Sequence, residues 1–160
     1  MVRQSSGRVV KTMGDGCLAE FPSPVEPART ALAVQEAMES RDTDRPVQER
    51  LHFRIGMHVG DVVVVDNDIL GDAVNVAARL EALAPVGGIC LSLSERDQIK
   101  GRIDVEIIPL GAVSVKNIPE PIEAWVIGED PAGLLAVSAK LPAVVVMPFE
   151  EIGSEDEFFC

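Results

Sequence analysis

The pattern of apolar and polar positions divides the chain into short strands and a few helices. Arg8-Val9-Val10-Lys11-Thr12-Met13 and Cys17-Leu18-Ala19-Glu20-Phe21 are two brief apolar runs separated by Gly14-Asp15-Gly16. Glycines flanking an aspartate are turn chemistry, so the two runs predict a β-hairpin. Pro22-Ser23-Pro24 stops the second strand, and from Val25 to Arg41 the period changes. Ala28, Ala31, Leu32 and Met38 fall near helical spacing in a segment rich in Ala and Glu, which predicts an amphipathic helix. A polar loop over 42–50 leads to a β-rich run from Leu51 to Val65, where Gly56 and Gly60 suggest bends or close backbone approach. Asp66-Asn67-Asp68 reads as the end of that strand system.

The segment from Ala73 to Leu83 has the Ala and Leu content of a helix, with Asp72 available as its cap and Pro85 closing it. Gly87-Gly88 leads into a buried-looking strand, Ile89–Ser92, and 94–99 reads as a short helix with a serine at its start. Further strands are expected at Val105–Leu110, Ala112–Val115 and Ile122–Ile127. Strands outnumber helices without alternating strictly with them, which favours α+β over a doubly wound parallel sheet. Residues 129–133 form a composition break, followed by one strongly apolar run, Ala143-Val144-Val145-Val146-Met147, and an acidic end.

Composition narrows the function classes. A chain of 160 residues with 47% hydrophobic and 25% charged positions can bury a core, so a disordered acidic tail is excluded. The net charge of −12 and the lack of a basic face argue against nucleic acid as a partner, and a polyanionic ligand would need a metal ion beside it. No apolar run approaches the roughly 20 residues of a membrane-spanning helix, and no basic-then-apolar start is present. The expectation is a cytoplasmic protein. Cys17, Cys90 and Cys160 are odd in number and widely spaced, which suggests reduced thiols and neither a disulfide scaffold nor a zinc site.

Two groups of residues carry candidate chemistry. Asp15 sits at the tip of the first hairpin between glycines that let a metal or phosphate approach the backbone, although a plain turn aspartate would look the same. Asn75 and Arg79 lie four apart and share one face of the helix predicted there. Arg79 offers planar, permanently charged donors that match phosphate oxygens, and Asn75 offers both a donor and an acceptor for a sugar or base. A solvated helix face is the bland alternative.

Taken together, VVKTMGDGCLAEF, FRIGMHVGDVVV and DILGDAVNVAARLEALAPVGGICLS resemble the catalytic domain of class III nucleotidyl cyclases, from about Gly7 to about Gly128. The resemblance implies a ferredoxin-like (βαββαβ-type) nucleotidyl cyclase fold. It also implies that ATP is bound between two facing subunits, in a homodimer or a pairing with another cyclase domain. Two Mg2+ or Mn2+ ions would assist its conversion to cyclic AMP and pyrophosphate. By position, Asp15 is similar to the second metal-binding aspartate. Lys11 and Asp68 match the pair that reads adenine, the ammonium donating to a ring nitrogen and the carboxylate accepting from the exocyclic amine. Asn75 would orient the ribose and Arg79 would stabilise charge on the α-phosphate. Lys116 lies near where the family places a phosphate-binding lysine, with a surface lysine as the alternative.

The chain also departs from that pattern. The family's first strand, with its metal-binding aspartate, and the helices after it have no counterpart before the hairpin. Residues 1–128 are therefore expected to be a partial cyclase domain whose lost strand leaves sheet edges open. Residues 129–141 are expected to be a linker, and 142–160 resemble the incomplete start of a TolB-like domain. The expectation is that this chain alone makes no cyclic AMP. The alternative is a non-catalytic cyclase-like module that pairs with a complete partner.

Overall fold

The structure is a computed structural model that describes residues 3–14, 16–46, 49–114 and 120–128, together with the backbone of 144–145. The opening hairpin forms as its pattern predicts: β1 (Arg8–Met13) pairs antiparallel with β2 (Gly16–Glu20). Gly14 takes the positive φ of +62° that the turn needs. A bulge between Val9 and Lys11 shifts the register of β1, and Arg8 pairs with Glu20 at 2.9 Å across the open end. Helix α1 (Val25–Arg41) has the bounds that its periodicity predicts and buries Val25, Ala28, Ala31 and Met38.

The β-rich run from Leu51 to Val65 is not one strand. It resolves into β3 (Ile55–Met57) and β4 (Val63–Val65), and β4 turns back on β5 (Asp68–Leu70). Asp66 and Asn67 adopt φ of 48° and 65°, the left-handed pair of a two-residue hairpin, so they link strands where termination was expected. Helix α2 (Asp72–Leu83) follows at once. Its cap is Gly71 at φ +142°, a conformation that glycine alone takes readily, and no side chain caps it. Asp72 instead occupies the first turn, where a negative charge suits the helix dipole.

Strand β6 (Ile89–Ser92) runs into helix α3 (Leu93–Ile99), capped by Ser92, whose hydroxyl accepts from the Glu95 N–H at 3.3 Å. The two strands expected between 105 and 115 are one, β7 (Ile107–Val113), bulged between Pro109 and Gly111, and it pairs with β8 (Ile122–Ile127). A short strand, β9 (Val144–Val145), is the last among the described residues.

The main sheet has the order β7-β8-β6-β3-β9, with β3 parallel to both β6 and β9 and the other pairs antiparallel. Alternation along β6 explains how two helical layers cover it. Ile89 and Leu91 face α1 and α3 in a core with Ala28, Ala31, Ile55 and Ile99, while Cys90 faces α2 beside Leu80 and Ala84. All four β6 residues are buried, as a strand covered on both faces requires. Gly56 shows why α2 lies so close to β3: a Cβ there would fall on Ala77 O and Glu81 N, so only a glycine admits the helix backbone. Cys17 and Cys90 are buried thiols, and burial pushes Cys90 up to about 12. No helix among the described residues is long and apolar enough to cross a membrane.

Candidate active site

A small second core organises the candidate residues. Val10 and Leu18 from the first hairpin, Ile69 from β5 and Ala77 from α2 are buried together, with Val62, Val74 and Ala78 packed against them. Neighbouring residues in a strand point to opposite faces, so inward Val10 and Ile69 place Lys11 and Asp68 on the outer side. There Lys11 Nζ donates to Asp68 Oδ2 at 2.7 Å, joining residues 57 apart in sequence. Asp68 Oδ1 also accepts from the Ile69 N–H at 2.8 Å. These two donors, Lys11 foremost, hold the Asp68 carboxyl below its ordinary range, so it is a charged acceptor at neutral pH. Both side chains are a little over a third exposed, 36% and 39%, and therefore reachable from solvent.

The same cluster positions the helix residues. Asn75 and Arg79 are exposed and one turn apart on α2, and the residues beside them, Val74 and Ala78, lean on the Val10–Ile69 core. All four side chains therefore emerge from backbone anchored to one packing unit. Around them lies an apolar rim: Met13, Val63, Val64, Val65 and Leu70 are exposed, Val63 by 63% and Val64 by 57%. The three exposed valines all lie on β4, with Leu70 across from them on β5 and Met13 on the first hairpin.

Asp15 and Lys116 lie outside the described residues. Among the described residues, no group of three or more His, Cys, Asp or Glu is placed to hold a metal ion.

A second polar cluster was not legible in the sequence. His58 Nδ1 and Ser92 Oγ are 2.8 Å apart, and Ser94 Oγ lies 2.9 Å from Ser92 Oγ and donates to Val59 O at 3.0 Å. Gly60 makes room for that imidazole, since a Cβ there would lie 2.8 Å from His58 Nε2. His58 and buried Glu95 line a cavity of about 610 Å³ whose other walls include Phe21, Pro24 and Met57. Glu95 Oε1 has no hydrogen-bond partner among the described residues, and burial pushes the acid up to about 8. Burial also lowers His58. The only sequence signal was the glycine pair at 56 and 60, which marked close approach without naming what approached.

Comparison with known proteins shows the family. Residues 1–129 match the family model for the adenylate and guanylate cyclase catalytic domain. The chain is 37% identical to "Putative adenylate cyclase 3" of Rhizobium meliloti (strain 1021) over 161 aligned positions, 94% of this chain but 27% of that protein's length. It is similar to the crystal structure of an adenylate/guanylate cyclase/hydrolase from Silicibacter pomeroyi, with 45% identity, a TM-score of 0.76 and coverage of 81% of this chain and 76% of that one. The adenylyl cyclase CyaB from P. aeruginosa shares the fold at 18% identity and a TM-score of 0.60, over 82% of this chain and 76% of that one.

Proposed function

Since the chain belongs to the adenylate and guanylate cyclase catalytic domain family, we propose that its exposed polar face reads ATP, for conversion to 3′,5′-cyclic AMP and pyrophosphate in a two-subunit assembly. The observation that carries this reading is the contact between Lys11 and Asp68 at 2.7 Å. An ammonium has three donors and a carboxylate about four lone-pair sites, so the pair retains capacity for a base after bonding each other. A charged Asp68 accepts from the exocyclic amine of adenine and repels the carbonyl oxygen that guanine presents there. Lys11 donates to the ring nitrogen.

Asn75 then holds the ribose, and Arg79 places its guanidinium against the α-phosphate as the 3′-hydroxyl attacks phosphorus and the bond to pyrophosphate breaks. The exposed valine rim supports a facing subunit over this surface, because a seam buries apolar area that a monomer leaves in water. The family reading brings Mg2+ or Mn2+, which would neutralise phosphate charge. Asp15 is the proposed carboxylate ligand, and Lys116 the proposed phosphate contact.

The test is titration of a non-hydrolysable ATP analogue, with Mn2+, into the chain and its variants. Lys11→Ala and Asp68→Ala should each weaken binding about tenfold or more, as expected for a lost charge-assisted hydrogen bond. Unchanged affinity in both would remove the reading.

The Lys11–Asp68 contact on an exposed face also supports a second reading. Here the chain is a module that lends Lys11, Asp68, Asn75 and Arg79 to a complete partner. Mixing it with a complete cyclase whose arginine equivalent to Arg79 is disabled should restore activity under this reading and leave it absent under the first.

A further inference from the structure

The edge of β3 away from β6 is closed in an unexpected way. Ile55 N–H donates to Gly88 O at 3.1 Å, on the β6 side. Strand alternation therefore turns the N–H and C=O of Gly56 to the opposite edge. At that edge β9 runs parallel to β3, with Val144 opposite Ile55 and Val145 opposite Gly56. Strand β9 also lies against β2 and α2, so it sits between the first hairpin and the main sheet. The ends of the same two strands line the cavity described above, Met57 from β3 and Glu20 from β2.

We propose that the groove between β2 and β3 is a β-strand acceptor site, and that the apolar run at Val144–Val145 is its occupant in cis, joining the hairpin to the sheet. Gly56 is buried, so without a neighbour its outward N–H and C=O would lose water and gain nothing in return. The glycine is held against the backbone of α2 and the edge has no side chain of its own to fill it, so an extended segment is the shape that fits. Val144 and Val145 suit the task, being β-branched, uncharged and free of proline. This assigns them to the sheet they complete rather than to a separate following unit. The inference rests on strand pairing and does not depend on which nucleotide the molecule reads.

Amide hydrogen exchange tests it, with Ile55 on the β6 side as the internal control. In the full chain the Gly56 amide should be protected. In the variant Val144→Pro/Val145→Pro, or in a chain ending at Lys140, it should exchange at least about a hundredfold faster, while Ile55 changes less than tenfold. A synthetic peptide of residues 141–149 added to the shortened chain should restore Gly56 protection. If the shortened chain unfolds, the same peptide should restore the fold. Gly56 remaining protected without the segment, or no rescue by the peptide, overturns the proposal. Protection that falls on dilution of the full chain would mean that a second copy supplies the strand, which overturns the assignment in cis.

Discussion

Asp68 and Glu95 are both carboxyls near the ends of short elements, and they end in opposite electrostatic states. Asp68 is half-exposed, bonded to Lys11 and held as an anion, whereas Glu95 is buried, its Oε1 has no partner among the described residues, and it keeps its proton up to about pH 8. The fold retains charge on the exposed face that carries Lys11 and extinguishes it where α3 lines the cavity. Gly56 stands between the two regions: it lets α2, which presents Asn75 and Arg79, pack on β3, which leads to His58.

The largest predicted effect follows from that glycine. Gly56→Val should cost about 3 kcal/mol or more, since the new side chain would have to displace the backbone of α2, and both regions should lose order together. Urea denaturation measures it, and a cost below about 0.5 kcal/mol would contradict the packing described here.

Glu95 comes next. Its folded form holds a proton up to about pH 8 that the unfolded chain releases near pH 4.5, so the folded state binds the extra proton between those values. Stability should therefore fall as pH rises, by at most about 1.4 kcal/mol per pH unit. His58 acts in the opposite sense: it is depressed below 6.5, and its contribution is present above that value and lost as pH falls. The stretch between 6.5 and about 8 thus isolates Glu95. Glu95→Gln should flatten the slope there, and an unchanged slope would show that the acid is not held neutral.

A smaller and more selective effect separates the two ends of the nucleotide. Arg79→Ala should weaken a triphosphate analogue about tenfold and leave adenosine unaffected, while Lys11→Ala should weaken both. Equal losses for both ligands in both variants would dissolve the distinction between base and phosphate contacts. The smallest effect on the fold should come from Val64→Asp, which should change stability by less than about 0.5 kcal/mol and reduce self-association in sedimentation.

The sequence disclosed those parts of the molecule that short-range physics decides. Helix α1 appears between its expected bounds because Ala28, Ala31 and Met38 repeat with its turn, and the first hairpin forms because glycines frame its tip. Asn75 and Arg79 were legible from their shared helix face and Lys11 and Asp68 through motif resemblance, and the structure adds the contact that joins the latter two. The second hairpin escaped notice because β4 and β5 are three residues each, too short for a period, and Asp66-Asn67 resembles a terminator. The His58–Ser92–Ser94 cluster escaped because its members are more than 30 residues apart, or adjacent only through a helix cap. The pairing of β9 with β3 depends on which edge is vacant, a property of the folded sheet and not of any local string.

The most direct measurement is the ratio of affinities for ATP and GTP analogues in the chain and in Asp68→Ala. With Lys11 and Asp68 joined as the base-reading pair, ATP should be favoured about tenfold or more, and the preference should shrink to within about twofold once the carboxylate is gone. The same preference in both proteins, or none in either, would contradict the assignment of this face to adenine.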